Sequence, residues 1–160
     1  VAPAQATPGG QLAALLKLKA AVDTKEVLDG FWSPFSGANG GFCSWTFVTC
    51  DEAGVVMHMP VDARTTQPFG LMHGGAFAAL AETVASVGGL WHVDFPRQVV
   101  VGQQVSLNLL RSARVGLIRA EGRVVHKGTR TQVWDVEMVR EIDEVTAAVA
   151  RITLAVVDQN

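Results

Sequence analysis

Apolar and polar positions alternate through the second half of the chain. Apolar or small residues stand at every second position of four segments, in the series Val105, Leu107, Leu109; Ile118, Ala120, Gly122, Val124; Trp134, Val136, Met138; and Ala148, Ala150, Ile152, Leu154, Val156. A period of two is typical of strands that bury one face. The alternation therefore predicts four strands of an antiparallel sheet.

The first half of the chain contains shorter patterns. Phe42–Cys50 and Val55–Pro60 predict two strands joined by a turn, and Asp62–Gly70 is rich in turn-forming residues. Gln11–Val22 predicts a short helix, because Leu12, Leu15, Leu16 and Ala20 fall on one stripe. Ser33–Gly41 has the composition of a loop.

A long apolar segment between these regions predicts a central helix from about Gly75 to His92. Its bulky residues form one stripe, which consists of Phe77, Leu80, Ala81, Val84, Val87 and Trp91. Small residues form a second stripe, and Glu82 within it is the only charge on the helix. A helix this apolar must be covered, so the expected fold class is α+β. In it, residues 42–158 form a single domain whose antiparallel sheet wraps around one long central helix, after an N-terminal extension of residues 1–41.

Composition narrows the class of protein. Apolar residues make up 49% of the chain and charged residues 18%, which excludes a wholly disordered protein. The net charge of −2 argues against a surface that binds nucleic acid throughout. The mean hydropathy of +0.26 predicts that some surface is hidden in an oligomer. Because the apolar segment carries Glu82 at its centre, a buried helix is favoured over a membrane span.

The cysteines and the start of the chain bear on the compartment. Cys43 and Cys50 are too few for a disulfide scaffold, and their spacing places them on opposite faces of a strand. Residues 1–10 lack the basic start and the apolar stretch of a signal peptide. We therefore expect free thiols and a cytoplasmic protein.

Glu82 is the first candidate for chemistry. Its small neighbours would let a ligand approach the carboxylate closely, which favours a nucleophile or a general base. The alternative is a buried ion pair with one of the arginines. Ser86 lies one turn further on the same face, where it could hold a water beside Glu82 or bond its own helix backbone.

The start of the helix is the second candidate. Gly74 and Gly75 follow Gln67 and His73 in the stretch QPFGLMHGG. Unpaired N–H groups at a helix start can hold a carbonyl oxygen that becomes negative during acyl transfer. Alternatively, the two glycines form only a tight turn and His73 is only a structural loop residue. Gln67 can orient a water or a substrate, but its amide cannot act as a base near neutral pH.

The spacing of these two candidates predicts a site shared between subunits. Gly74 and Glu82 are eight residues apart, which is about 12 Å along one helix. A reacting carbonyl must lie about 3–3.5 Å from its attacking group, so one helix cannot supply both. A two-fold dimer would form two equal sites. Each would take Gln67, His73 and Gly74 from one subunit, and Glu82 and Ser86 from the other.

Basic residues are concentrated between Arg111 and Arg130. Arg119 and Arg123 flank Glu121 on one strand face, which is typical of a solvated ladder of charges. Arg111–Ser112 and Gly128–Arg130 fall at strand ends, where guanidinium groups and turn N–H groups suit phosphates. This arrangement predicts a substrate that carries a nucleotide. The absence of tyrosine and of interleaved aromatic residues disfavours a nucleic acid.

Several segments together resemble a known family. They are MPVDARTTQPFGLMHGGAFAALAETVAS, VVG, LLRSARVG and HKGTRTQVWDVEM, within about residues 55–140. The chain resembles the hot-dog-fold acyl-CoA thioesterases, in particular the 1,4-dihydroxy-2-naphthoyl-CoA thioesterases of menaquinone synthesis, which are related to the 4-hydroxybenzoyl-CoA and phenylacetyl-CoA-type enzymes. Residues 1–41 match nothing in that pattern. Leu109 and Leu110 make their stretch more apolar than the family pattern.

The resemblance implies a role for each candidate. Glu82 would be the catalytic carboxylate, as a nucleophile or as a base toward water, and the Gly74 N–H would polarise the thioester carbonyl. Gln67 and His73 would align that carbonyl, and Ser86 matches a hydroxyl one turn after the carboxylate. The residues implied to hold the substrate and its coenzyme A tail are Gly102, Leu109, Leu110, Arg111, Ser112, His126, Lys127, Gly128, Thr129, Arg130 and Thr131. The family is usually a dimer of dimers, and coenzyme A is part of its substrate rather than a cofactor.

Three functions from different classes remain open at this point. We expect hydrolysis of an acyl-CoA thioester, with an aromatic acyl group as the first choice. A hot-dog dehydratase or hydratase would need an aspartate placed for proton transfer to carbon, and the central helix carries none. A non-catalytic acyl-CoA-binding protein would bind without turnover. No metal is expected, because no His, Cys or Asp cluster has the spacing of a ligand set.

Overall fold

The computed structural model describes residues 46–50, 53–95 and 97–159. Its elements are strands β1 (Thr46–Cys50) and β2 (Val55–Pro60), helix α1 (Gly74–Trp91), and strands β3 (Gln98–Leu109), β4 (Leu117–Lys127), β5 (Thr131–Arg140) and β6 (Val145–Asp158). The predicted order of two strands, one long helix and four strands is confirmed. The helix begins and ends one residue earlier than the pattern predicts, because His73 caps its start and His92 caps its end.

The six strands form one antiparallel sheet. Their spatial order is β1-β2-β4-β5-β6-β3, so β1 and β3 lie at the two edges. Alternating apolar residues of β4, β5 and β6 face α1 and are buried, as the period of two predicts. The expected α+β fold, with one long helix packed against an antiparallel sheet, is confirmed.

The core lies between α1 and the centre of the sheet. Phe77, Leu80 and Val84 on the bulky stripe of the helix are at most 2% exposed. Burying a side chain of this size contributes about 1.5–3 kcal/mol each. Gly88 has the Trp134 ring directly against it, since an added Cβ would lie 2.3 Å from a ring carbon. The helix is therefore pressed onto the middle of the sheet.

A buried hydrogen-bond network connects the last turn of α1 to β5. The Gln132 side chain donates from Nε2 to the carbonyl oxygen of Gly89 (3.2 Å), and its Oε1 accepts from the Trp134 indole N–H (3.0 Å). Gln132 is 1% exposed, and burying it without these partners would cost about 1–3 kcal/mol. The network therefore fixes the end of the helix on the sheet.

Strand β3 differs from the centre of the sheet. Val105, Leu107 and Leu109 lie opposite buried residues of β6, as the alternation predicts. However, Val105 is 39% exposed and Leu109 is 55% exposed, because β3 has a strand neighbour on one side only. The pairing also shifts register between Gly102 and Gln104, where one extra residue forms a bulge.

Some predictions fall wholly or partly outside the described residues. They concern the helix at Gln11–Val22, the first residues of the strand at Phe42–Cys50, the state of Cys43, and the boundary between residues 1–41 and 42–158. Within the described ranges, no helix combines the length and the hydropathy that a membrane span requires.

Candidate active site

His73 organises the start of the helix. Its Nδ1 accepts a hydrogen bond from the Gly75 N–H at 2.8 Å, and its carbonyl oxygen accepts from the N–H groups of Ala76 (2.9 Å) and Phe77 (3.3 Å). A ring nitrogen that accepts leaves Nε2 to carry the proton in the neutral imidazole. The Gly74 N–H finds no acceptor within the described part of the chain. One donor at the positive end of α1 thus remains available to a ligand.

The preceding loop fixes Gln67. The Gln67 N–H donates to the carbonyl oxygen of Leu71 (2.8 Å), and the carbonyl oxygen of Gln67 accepts from the Gly70 N–H (2.9 Å). Gly70 has a φ of +73°, a backbone conformation that favours glycine. The side-chain oxygen of Gln67 accepts from the Phe69 N–H. Its amide nitrogen is therefore the group left to donate to a substrate or a water.

Glu82 lies halfway along α1 and is exposed in the single chain. Its carboxylate forms no hydrogen bond or ion pair with any described residue, so the alternative of a buried pair with an arginine is not realised there. The carboxylate lies against Gly102 of β3, because a Cβ added to that glycine would meet Glu82 Oε1 at 2.0 Å. An acid with no partner at an open edge is available for chemistry.

Ser86 follows Glu82 by one helical turn and is half-buried. Its hydroxyl makes no hydrogen bond to another described residue. The neighbouring Thr83 behaves differently, since its hydroxyl donates to the carbonyl oxygen of Ala79 at 2.7 Å. The alternative in which Ser86 bonds its own helix backbone is therefore not realised, and its hydroxyl is left for a ligand.

The two halves of the predicted site are on one helix but apart. Gly74 is the first residue of α1, and Glu82 is about 12 Å further along the axis. Leu109 reaches over the first end, since its Cδ1 would lie 2.9 Å from a Cβ on Gly74. Gly102 lies beside Glu82, near the middle of α1. The single chain thus brings together His73, Gly74 and Leu109, with Gln67 in the preceding loop, and separately Glu82, Ser86 and Gly102.

The predicted coenzyme A residues fall in two further places. His126, Lys127, Gly128, Thr129, Arg130 and Thr131 form the turn between β4 and β5 and the strand ends beside it. The Gly128 N–H donates to the carbonyl oxygen of Thr131, and the Val156 N–H donates to that of Arg130, both at 2.9 Å. Lys127 and Arg130 are exposed, and neither forms an ion pair within the described ranges. The turn presents unopposed positive charge.

The second place is the segment after β3. The N–H groups of Leu110 and Arg111 both donate to the carbonyl oxygen of Ala147, at 2.8 and 3.0 Å. Arg140 donates to the carbonyl oxygen of Ser112 at 2.6 Å. Leu110 is 45% exposed. The segment is therefore rigidly held while its apolar side chains face outward near the start of α1.

Two residues that sequence reasoning did not place at the site lie beside it. Phe69 is 82% exposed in the loop between Gln67 and the helix, and Arg114 donates to its carbonyl oxygen at 3.3 Å. The signal for Phe69 was present in QPFG, where an aromatic residue stands in a polar turn. The role of Arg114 depends on folding two distant loops together, which no local pattern shows.

Charges on the outer face of the sheet contrast with Glu82. Arg119 bonds both Glu121 (2.7 Å) and Glu144 (2.8 Å), which confirms the Arg119–Glu121 part of the predicted ladder, whereas Arg123 forms no ion pair with a described residue. The hydrogen bond from Arg151 holds the pKa of Asp135 below its usual value. A groove of about 790 Å³ runs along this outer face, away from Glu82. Among the described residues, no group of three His, Cys, Asp or Glu could hold a metal ion.

The chain is similar to several proteins of known sequence or structure. The model of the thioesterase superfamily matches residues 69–147. The 1,4-dihydroxy-2-naphthoyl-CoA hydrolase of Escherichia coli (strain K12) is 40% identical over 116 residues, which cover 72% of this chain and 84% of that protein. The proofreading thioesterase EntH of Klebsiella pneumoniae is 48% identical over 86 residues, which cover 53% and 62%. A crystal structure of a mutant of thioesterase PA1618 from Pseudomonas aeruginosa is similar with a TM-score of 0.77 at 35% identity, covering 85% of this chain and 95% of that one.

Proposed function

Because this chain belongs to the thioesterase superfamily and has its hot-dog fold, we propose that it hydrolyses an aromatic acyl-CoA thioester. Candidate substrates are 1,4-dihydroxy-2-naphthoyl-CoA and a hydroxybenzoyl-CoA. One relative, 40% identical, is a 1,4-dihydroxy-2-naphthoyl-CoA hydrolase. Leu109 lies against Gly74, and Phe69 is exposed in the loop that precedes the helix; both offer apolar surface, and Phe69 an aromatic ring, that suits an aromatic acyl group.

In the proposed reaction the thioester carbonyl oxygen accepts a hydrogen bond from the Gly74 N–H. Glu82 either attacks the carbonyl carbon, forming an anhydride that water then hydrolyses, or removes a proton from an attacking water. The C–S bond breaks in both routes, and coenzyme A leaves as the thiolate. Water is the only co-reactant, and the products are the free acid and coenzyme A. An unpaired acid and an uncapped N–H are the two groups that such acyl transfer needs.

The remaining site residues assist these two groups. The Gln67 amide nitrogen donates to the carbonyl or to the water, and His73 holds the first turn in place through its bond to the Gly75 N–H. The Ser86 hydroxyl, half-buried and without a bond in the described chain, steadies the water beside Glu82. Each of these roles is one of alignment rather than of bond-making.

We further propose that the two halves of each site come from two subunits. Glu82 and Gly74 are too far apart on one helix to serve one carbonyl, and Glu82 lies on the open edge formed by β3. A second copy related by a two-fold axis along this edge would bring its Gly74 to the Glu82 of the first. Exposed Val101, Val105 and Leu109 on β3 would be covered at the same time. Two such dimers would form the tetramer expected from the resemblance.

Coenzyme A is proposed to lie along two basic segments. Lys127 and Arg130 at the turn after β4 would pair with its phosphates. Gly102, Leu109, Leu110, Arg111 and Ser112 would line the path of the acyl group and the tail. We propose the cytoplasm as the location, since two cysteines do not form a disulfide scaffold.

The observation that supports this proposal most is the state of Glu82. A carboxylate with no partner among the described residues has no structural role that the fold reveals. The experiment measures free thiol release from a panel of aryl-CoA and alkyl-CoA thioesters by the wild type and by Glu82→Ala. We expect the variant to lose about 10²–10⁴-fold or more in turnover while it still binds substrate.

The outcomes separate the remaining functions. Preference for aryl over alkyl thioesters would support the substrate class, and the reverse preference would correct it. Equal release by the wild type and Glu82→Ala, at the rate of the buffer alone, would favour the non-catalytic acyl-CoA-binding protein. Hydration of an enoyl thioester without thiol release would favour the dehydratase class.

A further inference from the structure

We propose that Gly102 is a positioning residue for the Glu82 carboxylate, an inference that rests on the proposed function of Glu82. A methyl group placed on Gly102 would lie 2.0 Å from Glu82 Oε1, 3.0 Å from Cδ and 3.4 Å from Cγ. Side-chain carbons do not approach oxygen to 2.0 Å. The last atoms of Glu82 therefore occupy the space that any other residue at position 102 would fill.

At this contact the glycine is on the strand and the side chain comes from the helix, whereas the neighbouring contacts of β3 with α1 have the reverse arrangement. Near the start of α1, the glycine is on the helix and β3 sends Leu109 against Gly74. Near the end of α1, β3 sends Val100 toward Gly89, with 3.1 Å between the Val100 Cγ2 and an added Cβ. Between them the glycine is on the strand, and the helix sends Glu82. The edge strand thus leaves a gap, with no side chain, where the Glu82 carboxylate lies.

The gap at Gly102 limits the positions that the Glu82 carboxylate can take. A glutamate has several rotatable bonds, and Glu82 has no hydrogen bond or ion pair within the described chain to choose among their conformers. Packing on the bare backbone of Gly102 keeps the carboxylate low against the strand edge. A methyl group there would force it to rotate away. Displacing a reacting group by about 1 Å is enough to cost about 10²-fold in rate.

The same geometry predicts that stability is spared. The atoms met by the added methyl belong to the far end of a flexible, exposed side chain, so they can move without disturbing the core. Gly102 is exposed and does not have a φ in the left-handed region, so alanine fits its backbone. A change of activity without a change of folding is therefore the signature of this role.

The experiment compares Gly102→Ala with Ser106→Ala, a change on the same strand that faces away from the helix, opposite Arg151. We expect kcat of Gly102→Ala to fall about 10²-fold, with KM within about threefold of the wild type and an unchanged midpoint of urea unfolding. Ser106→Ala should keep the wild-type kcat. Glu82→Asp in the Gly102→Ala background supplies the second readout.

Aspartate is one methylene shorter and leaves room for the alanine methyl. The double variant Gly102→Ala/Glu82→Asp should therefore be about tenfold or more active than the product of the two single effects predicts. Wild-type kcat in Gly102→Ala, or purely multiplicative losses in the double variant, would overturn the inference and leave the proposed function standing. Full turnover by Glu82→Ala would instead remove the catalytic role proposed for Glu82, on which this inference rests.

Discussion

The centre and the edge of the sheet share one sequence pattern but differ in what it achieves. In β5, alternation buries Trp134, Val136 and Met138 to 1% exposure or less. In β3, the same alternation leaves Val105 and Leu109 more than a third exposed. The proposed chemistry follows the edge, where Glu82 lies against β3, while the centre holds the helix. The pattern determines which face a residue occupies, and the number of neighbouring strands determines whether it is buried.

The largest expected effect tests the centre. Trp134→Ala should lower the free energy of unfolding by about 3–5 kcal/mol, because it opens a cavity against Gly88 and leaves Gln132 Oε1 without its donor. Urea denaturation followed by circular dichroism measures this loss. The control is Ile142→Ala in the turn after β5, which is 72% exposed and should cost less than about 0.5 kcal/mol. Similar losses in both variants would contradict the contrast.

The next effect tests the edge and should appear in rate rather than in stability. Gly74→Pro removes the one N–H that we propose to polarise the carbonyl, and should lower kcat about 10²–10³-fold. Proline is favoured at the first position of a helix, and His73 has the extended backbone (φ −69°, ψ 138°) that proline requires before it. Steady-state kinetics on the preferred thioester measures the change.

Gly74→Ala is the matched control for that variant. It adds a Cβ in the same place against Leu109 but keeps the N–H. We expect it to retain most of the wild-type kcat. If Gly74→Ala and Gly74→Pro lost activity equally, crowding by the side chain would explain the effect and the N–H would have no role.

The surface of the edge strand should respond to charge where the centre does not. Val101→Lys on β3 should weaken the proposed dimer and lower activity at low enzyme concentration, since lysine on an edge strand opposes pairing. Val149→Lys, on the outer face of β6, should leave the dimer intact because that strand has neighbours on both sides. Sedimentation equilibrium and the dependence of specific activity on protein concentration report both. Equal masses for the two variants would place the interface elsewhere.

A mixed dimer gives the smallest but most specific signal. A heterodimer of one Gly74→Pro subunit and one Glu82→Ala subunit should recover about half of the wild-type activity, because one of its two sites takes both intact groups from opposite chains. Two different affinity tags isolate this species for the thiol-release assay. A heterodimer as inactive as its parents would show that each site lies within a single chain.

The sequence predicted the elements better than it predicted the edge. Alternation and the apolar stripe predicted the order of the elements along the chain and the extent of α1 to within one residue. The ion-pair alternative for Glu82 could not be judged, because the partners of the arginines depend on the whole sheet. Arg119, for example, is taken by Glu121 and by Glu144, which lies 25 positions away in the chain. Long-range pairing of this kind leaves no local pattern.

The candidate site was predictable where it is continuous in sequence. The QPFG and HGG stretches placed Gln67, His73 and Gly74 in one loop, and the structure adds that His73 caps the helix. The contact between Glu82 and Gly102 was not predictable as a contact, because it joins a helix to a strand 20 residues later in the sequence. The resemblance named both residues without indicating that they touch.

The bulge in β3 determines which face of the sheet Gly102 occupies. Gln103 has no partner opposite it in β6, so Gly102 and Val105 face the same side although they are three positions apart. With regular pairing, an odd separation would turn one of them to the outer face. Deleting Gln103 would reduce their separation to two positions, so regular pairing would then keep both residues on the inner face. With Gln103 unpaired, one face of β3 carries both its apolar residues and the glycine against which Glu82 packs.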